Sequence, residues 1–261
     1  MRKGTAMRRI GLAATAACVG ALGASGATTR PAAPKRVLFL GNSYTFFNDL
    51  PAVLRRMAAS GKPPLKIHVD SYTKGGYSLE RHWADGGGVK KIRRGGWDVV
   101  VLQDHSMGPV LQPAKMAEFA RKIHAEVRKV GGRTVLFMTW ARRHKPEMIE
   151  PLSRRYRAVA KELGAGVAPV GRAWQTALRE RPKLALHRRD RSHPNERGTY
   201  LAACVFYAVL TGRDPRGRST GGLLSLRAGE AKFLQDVAWR TVRAAKAAPA
   251  TKPAPKGEKE Q

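Results

Sequence analysis

Three polar side chains with the chemistry of a hydrolase occur in two short stretches of this sequence. Ser43 follows an apolar run at residues 37–40, and Asp190 and His193 stand three residues apart near the other end of the chain. A serine hydroxyl becomes an effective nucleophile when a histidine takes its proton, and a carboxylate fixes that histidine's tautomer and supports its positive charge. The residue types therefore predict a Ser-His-Asp site, provided that the fold brings the two stretches together.

The elements around these residues predict such a fold. The apolar run lies between Pro34 and Gly41, which is typical of a buried strand, and Ser43 would then lie just beyond its carboxyl end. Strands and helices alternate along the rest of the chain, which predicts a parallel sheet covered on both faces. We expect an α/β protein, a flavodoxin-like three-layer α/β/α sandwich with a five-stranded parallel sheet, in which sites lie at the carboxyl ends of the strands. The predicted strands are near 36–40, 65–71, 98–102, 134–138 and 167–170, and the predicted helices near 50–60, 79–94, 114–130, 147–163, 172–179, 195–211 and 228–245.

The order of these motifs resembles that of the SGNH hydrolases, also called the GDSL esterase/lipase superfamily, over roughly residues 36–215. Gly41-Asn42-Ser43 is similar to the family's Gly-Asp-Ser block, and the segment from Asp190 to His193 is similar to its Asp-x-x-His block. The resemblance implies that Ser43 is the nucleophile, that His193 is the base and that Asp190 orients it. It also implies ester hydrolysis that needs no cofactor.

The resemblance further implies an oxyanion hole. Gly76, or its neighbour Gly75, corresponds to the family's glycine donor, and the backbone N–H of Ser43 is a second donor. The family's Gly-x-Asn-Asp block is replaced here by Val-Leu-Gln-Asp, so Gln103 stands where the asparagine would be. Its extra methylene moves the amide donor by about one bond length, while oxyanion donors act at ~2.7–3.1 Å. Gln103 would therefore decide how strong the hole is.

Other polar residues near these motifs are candidates for further roles: Asn42, Tyr44, His82 and His105 as substrate contacts, with His105 also a rival for the role of base. Ordinary structural roles are the alternative throughout. Ser43 is also a typical helix cap, and Asp190 with His193 is also a typical solvated pair in a basic loop. No tight ligand spacing among the His, Cys, Asp and Glu residues indicates a metal, and we expect neither metal nor cofactor.

The first 27 residues have the pattern of a signal peptide. Arginines and a lysine precede an apolar, small-residue run from Ile10 to Gly23, and a small-residue site for cleavage near Ala27 follows. We expect export to the periplasm or the outside of the cell. An uncleaved anchor and lipid attachment at Cys18 are the alternatives. The expected organisation is a signal peptide at 1–27, a linker at 28–34, an SGNH-like hydrolase domain at 35–246 and a disordered basic tail at 247–261.

The chain is strongly basic, with 49 Lys and Arg against 19 Asp and Glu and a net charge of +30. Such a charge attracts polyanions, but the basic residues are scattered and no nucleic-acid motif accompanies them. We expect a small-molecule or carbohydrate ester as substrate and a weak association with polyanions. An acyltransferase on the same fold and a non-catalytic binder of anionic polymers are the alternative functions.

Overall fold

The computed structural model describes Met1 and residues 34–247. The predicted signal peptide, Cys18, nearly all of the predicted linker and the tail beyond Ala247 lie outside the described residues. Within the described part of the chain, no helix combines the length and the apolar character that crossing a membrane requires.

The core of the protein is a five-stranded sheet in which every neighbouring pair of strands is parallel, with the order β2-β1-β3-β4-β5. This is the strand order of flavodoxin-like sheets. The strands are β1 (Arg36–Gly41), β2 (His68–Thr73), β3 (Val99–Leu102), β4 (Arg133–Phe137) and β5 (Gly166–Ala168).

Ten α-helices connect and flank the strands of the described region. They are α1 (Ser43–Phe46), α2 (Leu50–Ala59), α3 (Leu79–Asp85), α4 (Gly87–Arg93), α5 (Gly108–Leu111), α6 (Pro113–Lys129), α7 (Ile149–Leu163), α8 (Val170–Glu180), α9 (Glu196–Thr211) and α10 (Ala228–Ala247). Two short 3₁₀ turns, Phe47–Asp49 and Pro146–Met148, precede α2 and α7.

Alternate side chains of β1 enter two separate apolar layers. Val37 and Phe39 pack with α2, α8, α9 and α10 on one face of the sheet, while Leu38 and Leu40 pack with α3, α4, α6 and α7 on the other. Successive side chains of a strand point to opposite faces, so burial on both sides requires a continuous apolar run instead of an alternating one. The predicted three-layer α/β/α sandwich is thereby confirmed.

Most predicted elements lie within a few residues of the observed ones, and the differences occur where polar residues form the element. The second strand occupies His68–Thr73 instead of 65–71, because it pairs from His68 with the start of β1 and is half-exposed at the sheet edge. The single helical stretch predicted at 79–94 is two helices, separated at Gly86 in the left-handed conformation. The four-residue helices α1 and α5 were not predicted.

Candidate active site

Ser43 is the first residue of α1, directly beyond the carboxyl end of β1. Asn42 caps this short helix, because its Oδ1 accepts a hydrogen bond from the Tyr44 N–H at 3.1 Å. Gly41 before it is closely packed: a Cβ there would lie 2.5 Å from Thr45 Oγ1 and 2.7 Å from the Gln103 side-chain oxygen. Glycine at position 41 thus lets Thr45 and the Gln103 side chain pack directly against the backbone, while Ser43 two residues on is half-exposed.

The two stretches that the sequence analysis singled out meet at this edge. Ser43 Oγ lies 2.9 Å from His193 Nε2, and His193 Nδ1 lies 2.7 Å from Asp190 Oδ2. The carboxylate accepts only, so Nδ1 carries the proton and Nε2 is left to accept from the serine hydroxyl. This is the tautomer that a histidine needs to deprotonate a serine.

Asp190 also organises the loop that carries His193. Its second oxygen accepts hydrogen bonds from the backbone N–H groups of Ser192 and His193, both at 2.9 Å. Burial, the largest single influence, raises the pKa of Asp190, but these bonds and the one from the His193 ring together hold the pKa below its ordinary value. The carboxylate therefore stays ionised beside the imidazole.

Two backbone N–H groups near Ser43 are free to bind a ligand. Among the described residues, the N–H of Ser43 and that of Gly76 have no hydrogen-bond partner. Gly76 is exposed, and a Cβ there would meet open space. Its left-handed φ of 69° is the feature that favours glycine. The Asn42 side chain links the segment before Ser43 to the segment after Gly76, since its Nδ2 donates to the Tyr77 carbonyl at 2.8 Å.

Gln103 occupies a different place from the one predicted. Its side chain is fully buried, and its Nε2 donates to Asn42 Oδ1 and to the Asp104 carbonyl, both at 2.7 Å. Its Oε1 accepts from the Asn42 N–H at 3.0 Å and from Thr45 Oγ1 at 2.8 Å. Both amide hydrogens are therefore used inside the protein. In this arrangement Gln103 supports the loop that carries Ser43, and its bonded amide does not fit the predicted role of a donor to an oxyanion.

Three of the four candidate substrate contacts are also internal. Asn42 and Tyr44 are buried, at 2% and 3% exposed, and their polar atoms are bonded within the protein. His82 is fully buried, its Nε2 donates to the Gly41 carbonyl at 2.9 Å, and burial lowers its pKa. These side chains point inward because α1 and α3 pack against the sheet here. The expectation that they contact substrate does not fit this internal arrangement.

His105 is half-buried and lines a cavity of about 590 Å³ beside Gly76. Burial, followed by the positive charges of Arg142 and Arg81, lowers its pKa, so the ring is neutral at pH 7. The cavity has the size of a small-molecule site. Its walls are formed by Gly76, Ser78, Glu80, Arg81, Asp104, His105, Met107, Gly108, Leu111, Gln112, Lys115 and Met116. His193, not His105, is the histidine in contact with Ser43.

An aromatic stack beneath the site was missed by the sequence analysis. Tyr44 stacks on Trp140 at 4.4 Å between ring centroids, and Trp140 stacks on Trp174 at 4.0 Å. The Tyr44 hydroxyl lies 2.7 Å from Ser192 Oγ, and Trp140 Nε1 donates to the Ser192 carbonyl at 3.0 Å. Ser192 directly precedes His193, so the stack fixes the histidine's loop. The only sequence signal was that Trp140 follows a strand.

Comparison with known proteins shows which fold carries these three side chains. No protein-family model matches the sequence, and no curated protein matches it. Solved structures do match: a candidate SGNH hydrolase from Slackia heliotrinireducens superposes with a TM-score of 0.58 at 24% identity, covering 67% of this chain and 97% of that one. The chain has the SGNH hydrolase fold.

Two further matches extend over more of the chain. A DUF4886 family protein from Bacteroides uniformis gives a TM-score of 0.67 at 20% identity, covering 80% of this chain and 95% of that one. A variant of an acetyl-xylooligosaccharide esterase from Geobacillus stearothermophilus gives 0.57 at 15% identity, covering 77% and 100%. At these identities the likeness concerns the fold.

Within the described residues, no group of three or more His, Cys, Asp or Glu is arranged to hold a metal ion.

Proposed function

We propose that this protein is an exported serine esterase that hydrolyses an acyl or acetyl ester, on a carbohydrate. The observation that carries the proposal is the chain of contacts from Ser43 through His193 to Asp190, at 2.9 and 2.7 Å. It lies on an SGNH fold, at the carboxyl edge of the sheet, where α/β proteins place their sites.

The geometry suits acyl transfer through a covalent intermediate. Ser43 Oγ attacks the acyl carbon while its proton passes to His193 Nε2, and the unpaired N–H groups of Ser43 and Gly76 donate to the oxyanion. His193 then protonates the leaving alcohol as the bond to the acyl carbon breaks. A water molecule releases the acyl group by the same steps, with His193 again the base and Asp190 holding its tautomer.

Acetylated carbohydrate is the substrate class that the comparisons favour, because two matched structures are described as acetyl-xylooligosaccharide and acetyl xylan esterases. The half-exposed serine and the cavity beside Gly76 leave room for a substrate larger than a short-chain ester. The charged, apolar and small-residue order of residues 1–27 supports export, where polymeric carbohydrates are found.

The test is hydrolysis of nitrophenyl acetate and of acetylated xylan by the full chain, with Ser43→Ala and His193→Ala beside it. Both variants should lose nearly all turnover while keeping the unfolding temperature of the wild type. Ser71→Ala is the matched control, because the structure gives the Ser71 side chain no hydrogen bond and it lies on the edge strand β2. Unchanged turnover in Ser43→Ala would refute the proposed function.

A further inference from the structure

The two loops that carry and flank His193 are unusually basic. Residues 141–145 and 187–193 contain six cations and one acid, Asp190, so half of their twelve residues are Lys or Arg, against 49 of 261 in the whole chain. We call these six the cationic rim: Arg142, Arg143, Lys145, Arg188, Arg189 and Arg191.

The two loops that carry the cationic rim are joined to each other and to His193. The two loops are joined by a hydrogen bond from the Arg143 N–H to the Arg191 carbonyl at 2.9 Å, and the Arg188 N–H donates to the His193 carbonyl at 2.8 Å. The Arg188 guanidinium lies 5.0 Å from the centre of the Phe47 ring, which in turn lies 4.6 Å from the His193 ring. The Arg188 charge therefore lies one aromatic ring away from His193, and the backbone bonds hold the residues that carry the other cations in the same pair of loops.

No carboxylate within the described residues forms an ion pair with any of the six. Asp190, the acid within these loops, is bonded to His193, and Glu147 just beyond Lys145 pairs with none of them. Five of the six are exposed, while Arg142 is half-buried and donates to Ser106 Oγ at 3.2 Å. Cations held close together without partners repel one another, and an anionic ligand relieves that repulsion.

The cavity beside Gly76 adds a further cation, and its wall residue His105 feels the charges of both Arg142 of the rim and Arg81. Lys115 and Glu80 in its wall pair with each other at 3.0 Å, whereas the exposed Arg81 has no carboxylate partner in the described region. Cations without a carboxylate partner are thus found both in the loops around His193 and in the wall of the cavity. A neutral glycan could accept their hydrogen bonds but would leave their charges uncompensated.

We propose that the ester cleaved at this site is carried on a polyanion, a carbohydrate-based polymer with carboxylate or phosphate groups near the acylated hydroxyl. The inference rests on the proposed function, because it assigns a substrate class to the same serine. The rim attracts and orients the polymer, and Ser43 removes its acyl groups.

The experiment compares three O-acetylated polymers with the full chain: a polyuronate with carboxylates, a polyol phosphate with phosphodiesters, and neutral xylan. The quantity measured is kcat/KM for each anionic polymer divided by kcat/KM for xylan. We expect a ratio of about 10 or more at low salt for at least one of them, since electrostatic steering raises association rates 10- to 10³-fold. The larger ratio identifies carboxylate or phosphate as the recognised group.

The rim variant is Arg143→Gln, Arg188→Gln and Arg189→Gln together. Arg191 is left unchanged because its φ of 61° is left-handed, and Arg142 because it contacts Ser106. The matched control changes three exposed, unpaired arginines of α7 in the same way, at 154, 155 and 157. The rim variant should lower the ratio at least about fivefold, and the control should leave it unchanged. In 1 M salt the wild-type advantage should also shrink, because the screening length falls to about 3 Å.

The outcomes separate the two proposals. Ser43-dependent hydrolysis with equal rates on all three polymers, or a ratio that falls equally in both triple variants, would overturn the polyanion inference and leave the esterase standing. Salt-sensitive binding of a polyanion by wild type and Ser43→Ala, with no turnover of any ester, would overturn both and point to a non-catalytic binder.

Discussion

Asn42 and Gln103 exchange two hydrogen bonds next to Ser43: the Asn42 N–H donates to the Gln103 side-chain oxygen at 3.0 Å, and Gln103 Nε2 donates to Asn42 Oδ1 at 2.7 Å. These are two of the three positions at which the chain departs from the Gly-Asp-Ser and Gly-x-Asn-Asp motifs; the third is Val101, which replaces the glycine of the second motif. The departures at 42 and 103 are therefore physically linked. An aspartate at 42 would lose the donor that Asn42 offers to the Tyr77 and Asp104 carbonyls.

This arrangement predicts that Gln103→Glu destabilises the fold. The variant keeps the shape of the side chain but removes both donated hydrogen bonds and places a charge in a fully buried position. An unsatisfied buried polar group costs about 1–3 kcal/mol, so the free energy of unfolding should fall by about 2 kcal/mol or more. Denaturant unfolding measures it, with exposed Gln112→Glu as the control.

The same variant distinguishes the two roles considered for Gln103. If Gln103 supports the loop, the Gln103→Glu variant loses stability and activity together. If Gln103 is an oxyanion donor, the variant loses about 10²- to 10³-fold in kcat and keeps its stability. The second pattern would contradict the internal role that the hydrogen bonds of Gln103 indicate.

The contact between Tyr44 and Ser192 predicts a positioning effect on His193. Tyr44→Phe removes the hydroxyl that lies 2.7 Å from Ser192 Oγ but keeps the stack on Trp140. A hydrogen bond contributes about 1 kcal/mol, so kcat should fall about fivefold with little change in KM. Ser192→Ala should have the same effect, and the double variant should cost no more than either single change. Additive losses would mean that the two residues act independently.

Asp104 predicts a specific pH dependence of stability. Its side chain is 2% exposed, and burial raises its pKa to about 6 despite hydrogen bonds from the Leu79 and His105 backbones. The folded state therefore holds this proton more tightly than the unfolded state does. Stability should fall as pH rises from about 4 to about 7, by roughly 3 kcal/mol in all for a pKa shift of about two units.

The check is the free energy of unfolding of the wild type and of Asp104→Asn between pH 4 and 7. The amide is always neutral and can still accept from the Leu79 N–H, so the variant should gain stability relative to the wild type across this interval. The comparison cancels the other titrating groups. A difference between the two proteins that is constant with pH would show that Asp104 ionises normally.

The sheet, and the meeting of Ser43, His193 and Asp190 at its edge, could be predicted from the sequence because both depend on local patterns. The apolar run before Gly41 places Ser43 at a strand end, and the spacing from Asp190 to His193 lets one turn carry both side chains. Parallel strands bring their carboxyl ends to one edge of the sheet, so the order of strands and motifs along the chain was enough to predict that these side chains meet.

The internal roles of Gln103, Tyr44 and His82 could not be predicted in the same way. Each depends on which direction a side chain takes from its element, and on partners 41 to 148 residues away in sequence. Polar residues beside a serine motif look like ligands of a substrate when only their types are known. Burial decides between the two roles, and burial here is set by helices α1 and α3 packing on the sheet.

The most direct test of the central claim, that His193 activates Ser43 as a nucleophile, is covalent labelling with a fluorophosphonate, which reacts with activated serines whatever their natural substrate. Mass spectrometry of the full chain should locate one phosphonyl adduct on Ser43 in the wild type, and labelling should be lost in Ser43→Ala and reduced at least about 100-fold in His193→Ala. A wild-type protein that is folded but unlabelled at Ser43, or labelled equally in His193→Ala, would contradict the account.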